Sequence, residues 1–249
     1  MPETEAPTVV IPDEQRPLDQ IPISPPNGEV EEETGEGGLG LPGNKEQLTV
    51  FHSPDNFNVK HPLMNKWTLW YTKPPSNKGE NNWNDLLKEV VTFDSVEEFW
   101  GIYNNITKTS ELSLKSDYHL FKTGVRPEWE DPQNKNGGKW AYQFRDKRAP
   151  IDDLWLNVML AAIGETLESD KDKEIMGAVV NVRKALFRVG VWTKTTGGGG
   201  GTPEEAALME IGKKFKEVLK LGVKDFVEFS GHTESAQSGQ SRVKAKYTV

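Results

Sequence analysis

Apolar and polar positions alternate in Lys66-Trp67-Thr68-Leu69-Trp70-Tyr71-Thr72, which sets Trp67, Leu69 and Tyr71 on one face. A period of two in β-favouring residues predicts a half-buried strand. Shorter runs at 90–93, 118–121, 139–144, 177–183, 188–193 and 224–229 predict further strands, with Trp140, Tyr142 and Phe144 inward on the fourth. Other stretches carry the helical period. Ser95-Val96-Glu97-Glu98 is a capping-box pattern, and the helix it opens is predicted to run to Ile106. Phe99, Ile102, Tyr103 and Ile106 form its core stripe, and Val96 and Trp100 form a second stripe at an angle to the first. A second helix starts with Asp152 or Asp153 as N-cap and stops at Gly164. Trp155, Val158, Met159 and Ala162 make one of its faces, and Leu156 and Leu160 lie on another. Thr202-Pro203-Glu204-Glu205 opens a third, with Leu208, Ile211, Phe215, Val218 and Leu219 as its stripe.

Strands outnumber helices, and they alternate as antiparallel strands with one covered face do. The expected architecture is one α+β domain, a curved antiparallel sheet of about eight strands backed by three α-helices. The sheet's other face is then free for a ligand. The strands at 177–183 and 188–193 read as a hairpin. Arg188, Gly190 and Trp192 share one face there, with Arg188 and Trp192 about 13 Å apart at a strand's rise per residue. That is the order of a nucleotide's length, and Gly190 leaves the space between them open. Arg183 ends the partner strand near Arg188. The pair suits an anion, or is solvated.

Two tryptophans fall in polar loops. Trp83 closes the stretch from Lys73, and Trp129 stands in Glu128-Trp129-Glu130-Asp131 between Pro127 and Gly137-Gly138. A flat apolar ring beside an acceptor-only carboxylate suits a planar ligand with N–H groups on one edge, and guanine is one. Each indole can equally fold back as a lid on the core, and the loops alone leave both readings open.

Charge separates two regions. Residues 1–44 hold ten acids and one base, Arg16, so the other residues carry 28 acids and 29 bases. The acidic, Pro- and Gly-rich segment 1–44 is expected to be a disordered tail, and 45–249 a binding domain with its core at 61–249. The near-neutral body excludes a broad basic face for long duplexes while allowing a local basic site. There is no cysteine, so thiol catalysis, disulfides and thiolate zinc are excluded. No apolar run reaches the roughly 20 residues of a membrane span, and no signal peptide is visible. The run Gly197–Gly201 lacks the Lys-Ser/Thr of a P-loop. No nucleophile–base pair and no metal-ligand spacing appears, and the four histidines read as scattered. The expectation is therefore a binding protein without catalysis, metal or cofactor, monomeric on its own. It is expected in the cytoplasm, with a nuclear share left open.

Several motifs together resemble one family. These are His61-Pro62-Leu63, Trp67 with Trp70, Trp83, Phe99-Trp100, Trp129-Glu130-Asp131, Gly137-Gly138-Lys139-Trp140, Trp155-Leu156, Gly177-Ala178-Val179-Val180-Asn181-Val182-Arg183 and Trp192-Thr193. From about His61 onward the chain resembles eukaryotic translation initiation factor 4E, the family of messenger-RNA cap-binding proteins. All eight tryptophans fall in matching order.

The resemblance implies that Trp83 and Trp129 sandwich 7-methylguanine, that Glu130 binds its N1–H and N2–H2 edge, and that Trp192 touches the methyl group. It implies that Arg183, Arg188 and Lys139 hold the phosphates of 7-methyl-GTP or of capped mRNA. The family usually has Lys at the Arg188 position and Arg at the Lys139 position, so charge is kept at both. A dorsal surface of His61, Pro62, Val96, Trp100, Leu156, Asn157, Leu160 and Gly164 would bind the Tyr-x-x-x-x-Leu-Φ helix of initiation factor 4G and of 4E-binding proteins. The family often has Glu where this chain has Asn157. Its regulatory C-terminal serine falls on Gln240, so phosphoregulation is not carried over. Two alternatives stand beside this reading: a cap-binding repressor relative that does not engage factor 4G, and an aromatic sugar- or nucleotide-binding module.

Overall fold

The structure is a computed structural model that describes residues 60–75, 83–169, 173–234 and 245–249. The acidic tail, the lead-in before residue 60, the loop tip at 76–82 and the Ser-Gly tail with Gln240 and Ser241 lie outside the described residues. So do the side chains of Trp83 and Asn84.

Eight strands and four α-helices are described. They are β1 (Pro62–Thr72), α1 (Trp83–Leu86), β2 (Leu87–Ser95), α2 (Val96–Tyr103), β3 (Asp117–Lys122), β4 (Gly138–Phe144), α3 (Ile151–Ile163), β5 (Ile175–Val182), β6 (Phe187–Thr193), α4 (Pro203–Val218), β7 (Glu228–Gly231) and β8 (Tyr247–Thr248). The strands form a single sheet in the order β2-β1-β3-β5-β6-β4-β7-β8, and every pairing is antiparallel.

Alternation along the strands, interrupted by bulges in the β1–β2 and β5–β6 pairings, divides the two faces. Trp67, Leu69, Leu120, Trp140, Ala178, Val180, Val189, Val191 and Phe229 point into one core with Phe99 of α2, Trp155, Val158 and Met159 of α3, and Leu208, Ile211 and Phe215 of α4. Trp140 is fully buried, and its Nε1 donates to the Leu208 carbonyl at 3.1 Å. Burying an indole removes about 150–250 Å² from water, worth roughly 4–6 kcal/mol, against about 1 kcal/mol for the hydrogen bond. Packing thus holds α4 on β4, and the bond orients the ring. The opposite face has a smaller apolar cluster with Trp70, Leu87, Phe121, Val125, Met176 and Val179, and Trp192 packs against it.

The Ser95 cap forms as expected: Glu98 N donates to Ser95 Oγ, and Glu98 Oε2 takes the N–H of Asp94. Thr202 caps α4 in the same way. Five expectations need correction. Helix α2 ends at Tyr103, because Asn105 Nδ2 takes the Gly101 carbonyl at 2.7 Å and competes with the helical ladder. Neither Asp152 nor Asp153 caps α3, which Pro150 precedes. Asp152 instead accepts from Ser110 N and Oγ, and both acids sit in the first turn, where the helix dipole favours them. The strand expected at 224–229 starts only at Glu228. Asp225 accepts from Tyr142 Oη and Gly222 N, which holds 222–225 as a turn. The C-terminus adds β8, a strand absent from the sequence expectation. Trp83, read as a loop residue, opens the one-turn α1.

Candidate functional site

On the free face, β6 presents Arg188, Gly190 and Trp192, while Val189 and Val191 between them are fully buried in the core. Its neighbours add Lys139 and Ala141 from β4, Val179 and Asn181 from β5, and Asp117 and His119 from β3. Pro127, Glu128, Trp129 and Glu130 form a wall beside these strands. The cleft is about 420 Å³, the scale of small-ligand sites. A Cβ on Gly190 would come within 2.9 Å of the Trp140 carbonyl, so only glycine keeps this stretch of floor open without a backbone shift. Trp129, Glu130, Lys139, Arg183, Arg188 and Trp192 therefore line one cleft. Trp83 heads α1, and its side chain lies outside the described residues.

The loop carrying Trp129 is held by its own polar side chains. Fully buried Asn134 donates through Nδ2 to the carbonyls of Arg126 and Glu128, at 2.7 and 2.9 Å. Asp131 accepts from the backbone N–H groups of Arg126 and Gln133. Arg126 pairs with Glu128 at 2.7 Å and covers Trp70. Glu130 has no hydrogen bond or ion pair to any described residue. The Trp129 ring is 48% exposed, so it is a platform at the cleft and not a lid on the core. Trp192 is half-buried, edge-on to Phe121 at 5.4 Å and 4.1 Å from the His232 ring.

The cleft also concentrates positive charge. Arg183 makes a fork to Asp117, Nη1–Oδ1 at 2.6 Å and Nη2–Oδ2 at 3.1 Å, and Asp117 is almost fully buried. Burial lowers the Arg188 pKa, and the Arg183 charge lowers it further. Burial likewise lowers that of Lys139, and Arg188 adds to the effect. Arg188 Nε is buried with no partner among the described residues. Three cations thus face the cleft with one carboxylate between them, an arrangement that an anion completes.

Asp117, Asn134, His119 and His232 were not among the residues picked from the sequence. His119 was findable, because it shares the period-two face of β3 with Asp117. His232 follows β7, which was placed too early. His119 Nε2 meets Thr72 Oγ1 at 2.7 Å. Burial pushes His119 down to about 4 and His232 to about 3, from an ordinary 6.5. Both folded values lie below the unfolded one, so this stability is complete above pH 6.5 and is lost as pH falls through about 4 for His119 and about 3 for His232. Denaturant melts should show the midpoint falling over that window, and His232→Phe should flatten the fall. An unchanged slope in the variant would remove His232 from that account.

The second group of candidates lies on the helix side. The His61 carbonyl accepts from Val96 N, and Glu97 accepts from both His61 N and Nδ1, so the start of β1 is tied to the first turn of α2. Val96 and Trp100 are 38% and 37% exposed. Pro62 and Gly164 are exposed, while Leu156, Asn157 and Leu160 are half-buried on α3. Asn65 of β1 reaches Glu165, just after α3, at 2.7 Å. No described helix is long and apolar enough to cross a membrane.

The chain matches the profile described as eukaryotic initiation factor 4E over residues 62–247. It is 53% identical to eukaryotic translation initiation factor 4E of Candida albicans over 194 residues, 77% of this chain and 88% of that protein. It is 48% identical to eukaryotic translation initiation factor 4E-1 of Schizosaccharomyces pombe, over 86% of this chain and 94% of the relative. Its fold matches the structure of C. elegans eIF4E-3 in complex with the 4E-binding protein Mextli and cap analog, with a TM-score of 0.67 and 35% identity, covering 77% of this chain and 100% of that one. The sheet, its three long helices and these matches agree, and the chain belongs to the eukaryotic initiation factor 4E family.

Proposed function

We propose that this chain binds the 7-methylguanosine cap of mRNA in the cleft and recruits it to the translation initiation complex through the helix side. The observation that carries this is the cleft's lining: an exposed indole and an unengaged carboxylate on the Trp129 loop, together with three cations, Lys139, Arg183 and Arg188. The base stacks between Trp83 and Trp129, Glu130 accepts from N1–H and N2–H2, and Trp192 meets the methyl group. Arg183, Arg188 and Lys139 hold the triphosphate. Residues 61–249 form the binding domain, with the acidic segment 1–44 as a tail outside it. The protein works in the cytoplasm.

Energies explain why no single contact suffices. N7 methylation makes the base cationic, and a desolvated cation against an indole gains about 2 kcal/mol. Stacking contributes roughly 1–3 kcal/mol, and hydrogen bonds to a charged carboxylate about 1.5–3 kcal/mol. Association costs roughly 4–15 kcal/mol, so rings, carboxylate and cations must act together. The reading involves binding and no bond chemistry. Retention on 7-methyl-GTP resin tests it, with release by 7-methyl-GTP but not by GTP. Equal release by both would defeat the cap assignment.

Arg183→Ala and Arg188→Ala are expected to weaken 7-methyl-GTP by about 10- to 100-fold each and 7-methylguanosine by much less, since charge-assisted bonds are worth about 1.5–3 kcal/mol. The preference for the triphosphate should shrink as salt rises. Fluorescence titration with both ligands checks this. Equal losses for nucleoside and nucleotide would mean that the arginines serve the fold, as the buried Asp117 partner of Arg183 allows.

A further inference from the structure

The strand register aims the cleft at one edge of the sheet. Trp192 pairs with Lys139, and Arg188 pairs with Gln143 on β4 and Asn181 on β5. The run from Trp192 to Arg188 therefore points toward the turn between β5 and β6. Four adjacent strands, β3, β5, β6 and β4, bring basic residues to that same end. Lys115 stands just before β3, and its N–H donates to the Val182 carbonyl at 2.9 Å, which sets it beside the end of β5. Arg183 and Lys184 follow β5, Arg188 opens β6 and Arg145 follows β4.

Several charges there are already engaged. Asp117 holds Arg183, Asp146 holds Arg148 at 2.8 Å, and Lys147 lies 3.6 Å over the Phe187 ring. Lys115, Arg145 and Lys184 are exposed and form no ion pair with any described residue. Outside residues 1–44 the chain is nearly neutral, with 28 acids and 29 bases, so this edge is a local accumulation and not a general basicity.

We propose that Lys115, Arg145 and Lys184 form a track for the phosphates of the RNA chain that follows the cap. The proposal rests on the cap reading. A triphosphate held at Arg183 and Arg188 hands the chain on at this edge, and the next charges it meets are these three. Lys and Arg on backbone phosphates carry no sequence information, so the track accepts any single-stranded 5′ end. The strand continues from the cap without a second anchoring site.

The test compares wild type with the triple variant Lys115→Gln, Arg145→Gln, Lys184→Gln. The probes are 7-methyl-GTP, GTP, and a 7-methylguanosine-capped RNA of about ten nucleotides, within the usual range of single-strand sites. The variant should bind 7-methyl-GTP within about twofold of wild type and capped RNA about tenfold more weakly at low salt. The slope of log affinity for capped RNA against log salt should shrink by about 2, since each single-strand phosphate contact contributes roughly 0.7. Equal affinity and slope in variant and wild type would overturn the track. Loss of 7-methyl-GTP binding in the variant would also overturn it, by showing that these residues support the slot itself. A wild-type protein that binds GTP as well as 7-methyl-GTP would overturn the cap reading, and the track's premise with it.

Discussion

Replacing Glu130 by alanine is expected to weaken 7-methyl-GTP binding by at least about a hundredfold while leaving the fold intact. Three carboxylates sit in the stretch around Trp129, and two are already engaged. Glu128 is held by Arg126, and Asp131 accepts from two backbone N–H groups of its own loop. Glu130 lines the cleft, is exposed, and has no partner among the described residues. Two hydrogen bonds from N1–H and N2–H2 to one carboxylate contribute about 3–6 kcal/mol together, and each 1.4 kcal/mol is a factor of about ten. An exposed loop side chain with no structural bond changes stability by only about 0.5 kcal/mol. Titration by tryptophan fluorescence with a parallel thermal melt separates these effects. Glu130→Gln, which keeps one acceptor oxygen and loses the charge, should fall between wild type and alanine. Wild-type affinity in Glu130→Ala would end the guanine-edge assignment.

Much of the fold was readable because most of its strand positions alternate, as β6 does throughout. A residue on β6 can face only the core or the cleft, so Arg188, Gly190 and Trp192 could be grouped before any coordinates existed. Helix α2 announced its start through Ser95 and Glu98, since a cap is local chemistry. Its end was less legible, because Asn105 stops it through a side-chain bond that no hydrophobic pattern encodes. β8 was invisible for a different reason. A two-residue strand has no period, and it exists because β7 offers it an edge. The cleft followed the same division. Its exposed rings and cations stood out by composition, whereas Asp117 and Asn134 act through partners 66 and 8 residues away in the chain. Long-range polar pairing depends on which strands become neighbours, and the order β3-β5-β6-β4 is a tertiary outcome.

Trp100→Ala is expected to reduce binding of a Tyr-x-x-x-x-Leu-Φ peptide by about thirtyfold or more while leaving 7-methyl-GTP affinity within a few-fold. Phe99, next to it on α2, is buried in the core, while Trp100 keeps 37% of its surface exposed. Its ring stands edge-on to Phe99 and Tyr103 at 5.2 and 5.8 Å, so it is braced from below and open above. Val96, one turn earlier, is exposed to the same extent, and the His61–Glu97 contacts bring the start of β1 against that turn. An exposed apolar group of this kind suits one face of an amphipathic helix. Truncating an interface tryptophan typically costs about 2 kcal/mol or more, hence the thirtyfold figure. The opposing possibility is a stability role. A core aromatic truncated to alanine costs about 3–5 kcal/mol and would lower the melting temperature sharply, damaging both sites together. The cleft lies on the other face of the sheet, so a surface role predicts loss at one site only. Leu156 and Leu160 are half-buried and packed on the core, so their truncation should affect both stability and peptide binding, unlike Trp100. Calorimetric titration with each ligand, beside a thermal melt, distinguishes these outcomes. A folded Trp100→Ala protein that still binds the peptide at wild-type strength would remove the helix side from the partner assignment.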